Sequence, residues 1–238
     1  RIRRPEVLEL FTSHMFGRVP QDVDNELRFK VLERGLVMED RARRLQVRIF
    51  FDSEKDNPAV DVLIYIPVVA TRRNGSPMFL GLNFMGNHTI TNDPQVSVTK
   101  SWVRNKKDVG YVNNKASATS RGISAHRWPI RLLIESGFGV ATAYYGDIDP
   151  DFDDGFKNGV HSIYPTLEDP NGAQWGSIAT WSWGLSRILD FLQTLESVNG
   201  KQIGVIGHSR LGKTSLWAGA TDPRFAVVVS NDSGCGGA

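Results

Sequence analysis

This chain is poor in cysteine, in long apolar runs and in net charge. Its single cysteine, Cys235, makes an internal disulfide impossible, and it leaves the redox compartment open. That thiol sits in a glycine-rich run with no strand-to-helix turn before it, a poor setting for a nucleophile. No stretch approaches the roughly 18 consecutive apolar residues of a membrane-spanning helix. Charge nearly cancels: 28 Lys and Arg against 26 Asp and Glu leave +2. The basic residues are scattered apart from Arg1–Arg4 and Arg104–Asp108, so neither a nucleic-acid nor a membrane partner is expected. The sequence opens at Arg1 without an initiator Met or a signal segment. That suggests a processed or trimmed protein and says nothing about export.

What is present is ordinary globular material. The 238 residues are 40% hydrophobic and 23% charged, enough for one sizeable domain with its own core. No internal repeat or low-complexity segment appears. Leu45–Asp52 alternates as a strand, and Ala59–Ile66 is a second, the two joined as a hairpin by a turn-rich SEKDNP connection. Pro77–Phe84 and Phe138–Gly146 are continuous apolar strands, and Arg127–Glu135 is a helix between them. Ser177–Ser197 shows one wide apolar face of a long helix, closed by Asn199–Gly200. A short strand Gln202–Ile206, a helix Lys213–Ala220 and a buried strand Phe225–Ser230 follow. Strands alternating with helices after a hairpin predict an α/β fold with a mostly parallel sheet covered on both faces. Two irregular stretches, Thr91–Arg121 and Gly146–Asn171, follow strands and are expected to be functional insertions.

The stretch IGVIGHSRLGKT, Ile203–Thr214, carries two chemistries at once. From Gly207, GHSRLGKT satisfies the phosphate-loop pattern G-x-x-x-x-G-K-[ST]. From Ser209, a serine stands between an apolar strand and a small-residue helix, as in a hydrolase nucleophile elbow. The phosphate reading is weakened by the bulky interior HSRL. The elbow reading departs from G-x-S-x-G, because Leu211 occupies the place of the second glycine, which comes one residue later at Gly212.

GHSRLGK is similar to the G-[CH]-S-R-x-G-K signature of the glucuronoyl esterases, carbohydrate esterase family 15, which carries the same displaced glycine. The resemblance extends through Asn83–Thr89, Ala141–Phe156, Trp181–Leu192 and Asp222–Gly237, and looks like the bacterial branch. It implies a single α/β-hydrolase domain over 1–238, a three-layer sandwich. It also implies a serine carboxylesterase acting on esters of (4-O-methyl-)glucuronic acid, as between xylan and lignin. No cofactor or metal, a monomer, and a secreted or periplasmic location go with it.

On this resemblance Ser209 is the nucleophile that forms an acyl-enzyme. Arg210 supplies its backbone N–H and its guanidinium to the oxyanion, the bland alternative being a surface arginine paired with an acid. Lys213 hydrogen-bonds sugar hydroxyls, unless its stem simply packs. Asp232 is the triad acid, although a later residue can take that role. The base is missing. All five histidines precede Ser209, and the family histidine follows the acid. His208 adjoins the nucleophile and should point into the sheet. His88 suits a donor or supporting role better than that of base, and His14, His126 and His161 read as ordinary histidines. The expectation is therefore the N-terminal and central part of a longer enzyme, whose remainder carries the last strands and the histidine. Two alternatives stay open: a nucleotide-binding phosphate loop and a non-catalytic carbohydrate-binding remnant. GDIDPDFDDGF, Gly146–Phe156, misses the glycine spacing of a calcium loop and reads as a rigid acidic loop. Trp181 and Trp183 read as core, with Trp183 a candidate pocket wall, and Trp102 as a candidate stacking surface.

Overall fold

The hairpin expected between Leu45 and Ile66 opens the sheet, with Leu45 opposite Ile64 and Val47 opposite Val62. The structure is a computed structural model that describes residues 3–20, 23, 26, 28–68, 75–164 and 174–234. Its strands are β1 (Arg28–Val37), β2 (Ala42–Phe50), β3 (Ala59–Pro67), β4 (Ser76–Asn83), β5 (Gly139–Tyr144), β6 (Val198–His208) and β7 (Val227–Asn231). They form one seven-stranded sheet in the order β1-β2-β3-β5-β4-β6-β7. The first three strands are antiparallel to their neighbours. From β5 through β4 and β6 to β7 every pairing is parallel. The carboxyl ends of these four strands therefore share one edge, where α/β sheets place their sites.

Among the described residues four α-helices accompany the sheet: α1 (Arg3–Phe11), α2 (Ile130–Glu135), α3 (Ser177–Gln193) and α4 (Arg210–Thr221). Helix α3 buries Trp181, Leu185, Ile188, Leu189 and Leu192, a stripe at three- and four-residue spacing. Each such fully buried aliphatic side chain contributes about 1.5–3 kcal/mol relative to exposure. Helices α3 and α4 cover one face together. On the opposite face Leu63 and Tyr65 of β3 pack with Ile90, Val96, Ile130 and Ile134. Alternation along β3 sends Val62 and Ile64 to the first face, so both faces are covered. The α/β expectation holds.

Four details differ from the sequence reading. Helix α3 ends at Gln193 rather than Ser197, and Asn199–Gly200 lies inside β6. The periodicity misled because Leu195 still packs against the core from the turn, where its N–H bonds Leu192 O at 3.2 Å. Strand β1 was not anticipated: Lys30, Glu33, Arg34 and Gly35 interrupt its alternation, as is common on an edge strand. Helix α1 buries no residue and so left no apolar periodicity to read. Strand β7, expected to be buried, is half exposed. Val227 and Val229 are 49% and 38% accessible, since β6 alone pairs with β7 among the described strands.

The insertion after β4 is tied to the antiparallel edge by one buried cation. Arg44 on β2, only 5% exposed, donates two parallel hydrogen bonds to Glu33 of β1, at 2.9 and 2.7 Å. Its remaining terminal nitrogen bonds Asp93 of the insertion. The guanidinium holds the Glu33 carboxyl below the usual carboxylate range. Removing one member of a buried ion pair leaves uncompensated charge, at a cost of about 3–5 kcal/mol. Arg44→Ala should accordingly lower the unfolding free energy by about 3 kcal/mol in a urea titration. A loss below about 1 kcal/mol would show that the triad is solvated and not structural.

Candidate functional site

The strand-to-helix passage at Ser209 takes a single residue. Ser209 has φ 56° and ψ −131°, between the end of β6 at His208 and the start of α4 at Arg210. Its N–H bonds Asn231 O at 3.0 Å, and its carbonyl accepts the N–H groups of Gly212 and Lys213 at 2.8 and 3.2 Å. The backbone is thus over-determined in a region that costs a non-glycine residue about 1–3 kcal/mol. The reversal needs glycine at 207, where an added Cβ would lie 1.9 Å from Leu211 O. The displaced second glycine also has a reason. Leu211 is 1% exposed and fills the core, whereas a Cβ at 212 would press on Ser230, Ser233 and Asn231 at 3.1–3.2 Å.

This geometry removes the phosphate-loop alternative. A phosphate loop wraps its anion with successive N–H groups between strand and helix. Here Leu211–Thr214 are already helical, and one residue separates the two elements.

Arg210 begins α4, so its N–H has no acceptor within the helix and faces the carboxyl edge. Its guanidinium bonds Asp151 Oδ2 through Nη1 at 2.6 Å. It lies 5.6 Å from the Phe84 ring centre and 6.0 Å from that of Tyr145. The pairing expected of a bland surface arginine is therefore real, but it occurs where the loops after β4 and β5 meet the Ser209 turn. Phe84, Tyr145 and Asp151 are site residues that sequence reasoning did not single out. Phe84 and Tyr145 directly follow the ends of β4 and β5, and Asp151 lies in the acidic loop beyond.

Asp232 is exposed at φ 49°, immediately after Asn231, whose partner on β6 is His208. Ser209 and Asp232 therefore stand one residue past paired positions on neighbouring strands, which run about 4.8 Å apart. The His208 ring is exposed and its Nδ1 contacts Asn231 Nδ2 at 3.0 Å. It does not point into the sheet as expected. Lys213 is half-buried one turn into α4. Cys235 lies outside the described residues.

Among the described residues no histidine is hydrogen-bonded to Ser209. His88 is buried in the turn after β4, its Nε2 2.8 Å from Ser120 Oγ and 3.4 Å from Tyr111 OH. Burial pushes its pKa down to about 4, so it is neutral at pH 7 and braces the insertion. His161 is likewise buried, bonded to Thr180 at 3.1 Å and lowered to about 4. His14 and His126 are exposed.

The acidic loop after β5 spends its carboxylates locally. Asp153 accepts from Gly155 N–H at 3.2 Å, and Asp154 from Asn158 N–H at 2.9 Å. Asp149 is buried 3.9 Å from His161, and burial raises it to about 6. Asp147 accepts from Asp61 N–H at 3.2 Å, and burial raises it to about 7. Among the described residues no group of three or more His, Cys, Asp or Glu side chains is placed to hold a metal ion. Trp181 is core, its Nε1 donating to Asp149 O at 2.8 Å. Trp183 lines a cavity of ≈ 560 Å³ between the N-terminal segment, α3 and α4, set apart from Ser209, Arg210, Lys213 and Asp232. Trp102 packs against Phe152, ring centres 4.6 Å apart and planes tilted by 42°.

Comparison with known proteins agrees with this geometry. Residues 130–238 match the family model described as glucuronyl esterase, fungi. Over 238 residues the chain is 49% identical to a carbohydrate esterase from an unknown prokaryotic organism, covering 99% of this chain and 54% of that protein. It thus spans about half that relative's length. A 4-O-methyl-glucuronoyl methylesterase of Phanerochaete chrysosporium is 34% identical over 124 residues, 48% of this chain and 25% of that one. A solved promiscuous CE15 esterase from a marine bacterial metagenome superposes with TM-score 0.86 at 48% identity, covering 99% of this chain and 58% of that one.

Two measurements check the local physics. At φ 56° and ψ −131°, glycine is unstrained and serine is not. Relief of about 1–3 kcal/mol exceeds the roughly 0.5–1 kcal/mol entropic cost of glycine, so Ser209→Gly should raise the urea midpoint. A lowered midpoint would mean the elbow is not strained. Asp147 binds its proton more tightly folded than unfolded, so its contribution is present at low pH and is lost as pH rises towards about 7. Asp147→Asn should therefore gain stability relative to the natural protein between pH 5 and pH 8, read as paired urea midpoints. A constant difference across that range would show that Asp147 titrates normally.

Proposed function

We propose, from the premise that this chain belongs to carbohydrate esterase family 15, that it is the nucleophile-bearing part of a serine carboxylesterase. Its substrates are esters of (4-O-methyl-)glucuronic acid, as in the linkages between glucuronoxylan and lignin alcohols. The observation that carries this reading is the exposed Ser209 held at φ 56° at the carboxyl edge of the parallel strands, between β6 and α4. A serine there projects its Oγ towards a bound carbonyl, which an N-capping serine of an ordinary helix does not.

In the proposed reaction Ser209 Oγ attacks the ester carbonyl, and its proton passes to a histidine as the new bond forms. Negative charge develops on the carbonyl oxygen, where the Arg210 backbone N–H and guanidinium stabilise it. Collapse of the adduct expels the alcohol, which takes the proton from the histidine and leaves the glucuronoyl group on Ser209. Water then repeats the sequence and releases the free acid. Lys213, one turn into α4, holds hydroxyls of the uronic sugar. Asp232, beside Ser209 at the end of β7, orients the imidazole and stabilises its charged form. The histidine is supplied from outside these residues, since the five present are exposed, buried or bonded elsewhere. The same reading makes the enzyme a monomer, secreted or periplasmic. Among the described residues no helix is long and apolar enough to cross a membrane.

The test is hydrolysis of methyl and benzyl glucuronate esters by the full-length natural protein and its Ser209→Ala variant. Loss of the nucleophile should lower kcat by at least about 10³-fold while the circular dichroism spectrum is unchanged. Turnover that survives the substitution would sink the proposal. Binding of the sugar with no turnover in either protein would favour a binding remnant.

A further inference from the structure

The Arg210 side chain is long, about half exposed, and would lose its direction if left to solvent. A free arginine carries about 2 kcal/mol of rotamer entropy, and an oxyanion donor is effective only when it is aimed before charge develops. Three contacts restrain it here. The guanidinium lies by the rings of Phe84 and Tyr145, and Nη1 bonds Asp151 Oδ2 at 2.6 Å.

Asp151 is itself fixed from two sides. Tyr145 OH donates to the same Oδ2 at 2.9 Å. Arg104, from the insertion after β4, donates through Nη2 to the Asp151 carbonyl at 2.7 Å and lies 3.8 Å from the carboxylate. The carboxylate is 18% exposed, so it is a rooted partner rather than a loose surface acid. Among the described residues only Nη1 of Arg210 is hydrogen-bonded, and Nη2 and Nε are left to donate elsewhere. The acid does not cancel the local field either, since two guanidinium groups around one carboxylate leave one net positive charge.

We propose that Asp151 is the positioning residue for Arg210, setting the guanidinium in the direction from which it meets the developing oxyanion. This rests on the esterase reading above. It gives the two insertions a shared purpose, because Arg104 comes from the first and Asp151 from the second, and with Tyr145 just after β5 they act through one side chain. Such a residue changes the rate of the chemical step and leaves ground-state binding of the sugar nearly alone.

The experiment measures kcat and KM for a benzyl glucuronate ester with the full-length natural protein. The variants are Asp151→Ala, Asp151→Asn, Arg210→Ala and the double variant Asp151→Ala/Arg210→Ala. Asp151→Ala should lower kcat by about 10- to 100-fold with KM within about threefold, since small misplacement of a catalytic group costs up to about 10²-fold. Asp151→Asn retains an acceptor oxygen for both Arg210 and Tyr145 and should recover most of that rate. With Arg210 already removed, Asp151→Ala should cost less than about twofold, because nothing remains to be aimed. If Asp151→Ala does not fold, Tyr145→Phe takes its place, with several-fold lower kcat that vanishes in the Arg210→Ala background. Additive losses in the double variant, or a change confined to KM, would overturn the proposal. Arg210→Ala with full kcat would overturn it together with the oxyanion role of Arg210, while Ser209→Ala tests the esterase reading separately.

Discussion

The reversal from β6 into α4 within one residue is the constraint on which the remainder of the site depends. A parallel strand that ends at a sheet edge can deliver a side chain outward only if the chain turns sharply there, and Ser209 makes that turn in a conformation suited to glycine. Strand and helix then lie so close that residue 207 tolerates no Cβ, and the helix presses on the end of β7 at Gly212. The parallel pairing that brings β6 beside β7 also brings Asp232 beside Ser209. One backbone decision therefore places Ser209, the first N–H of α4, Lys213 and Asp232 together.

Around that turn the electrostatics divide into a wet cluster and a dry one. Arg210, Arg104 and Asp151 meet at the edge, where the guanidinium groups stay accessible. Behind them burial lowers His88 and His161 to about 4, leaving them neutral at pH 7, and raises Asp149 to about 6 and Asp147 to about 7. Their effects on stability oppose one another as pH changes: the histidines weaken the fold as pH falls, and the acids weaken it as pH rises.

Much of this was legible in the sequence, because the late strands and helices follow simple periods. The apolar runs of β4 and β5 and the stripe on α3 declared themselves, whereas the displaced glycine departed from the usual elbow spacing and counted for it only through the family resemblance. Strand β1 was hidden by the charges an edge strand carries, and α1 by the lack of a buried face. The end of α3 was overrun because Leu195 continues the apolar spacing from within a turn. Phe84, Tyr145 and Asp151 could not be read as a cluster. Their meeting depends on the β5-β4-β6 strand order, and no local pattern encodes which loops become neighbours. The base was not legible and is not among the described contacts of Ser209.

The most direct measurement is covalent trapping of the nucleophile in the full-length natural protein. A fluorophosphonate, which phosphonylates activated serines with loss of fluoride, is added with and without a glucuronate ester as competitor, and the labelled peptide is mapped by mass spectrometry. Labelling of Ser209, suppressed by the ester, is the predicted result. Labelling at another serine, or none in a preparation that still hydrolyses the ester, would contradict a strained elbow at Ser209 as the seat of the chemistry.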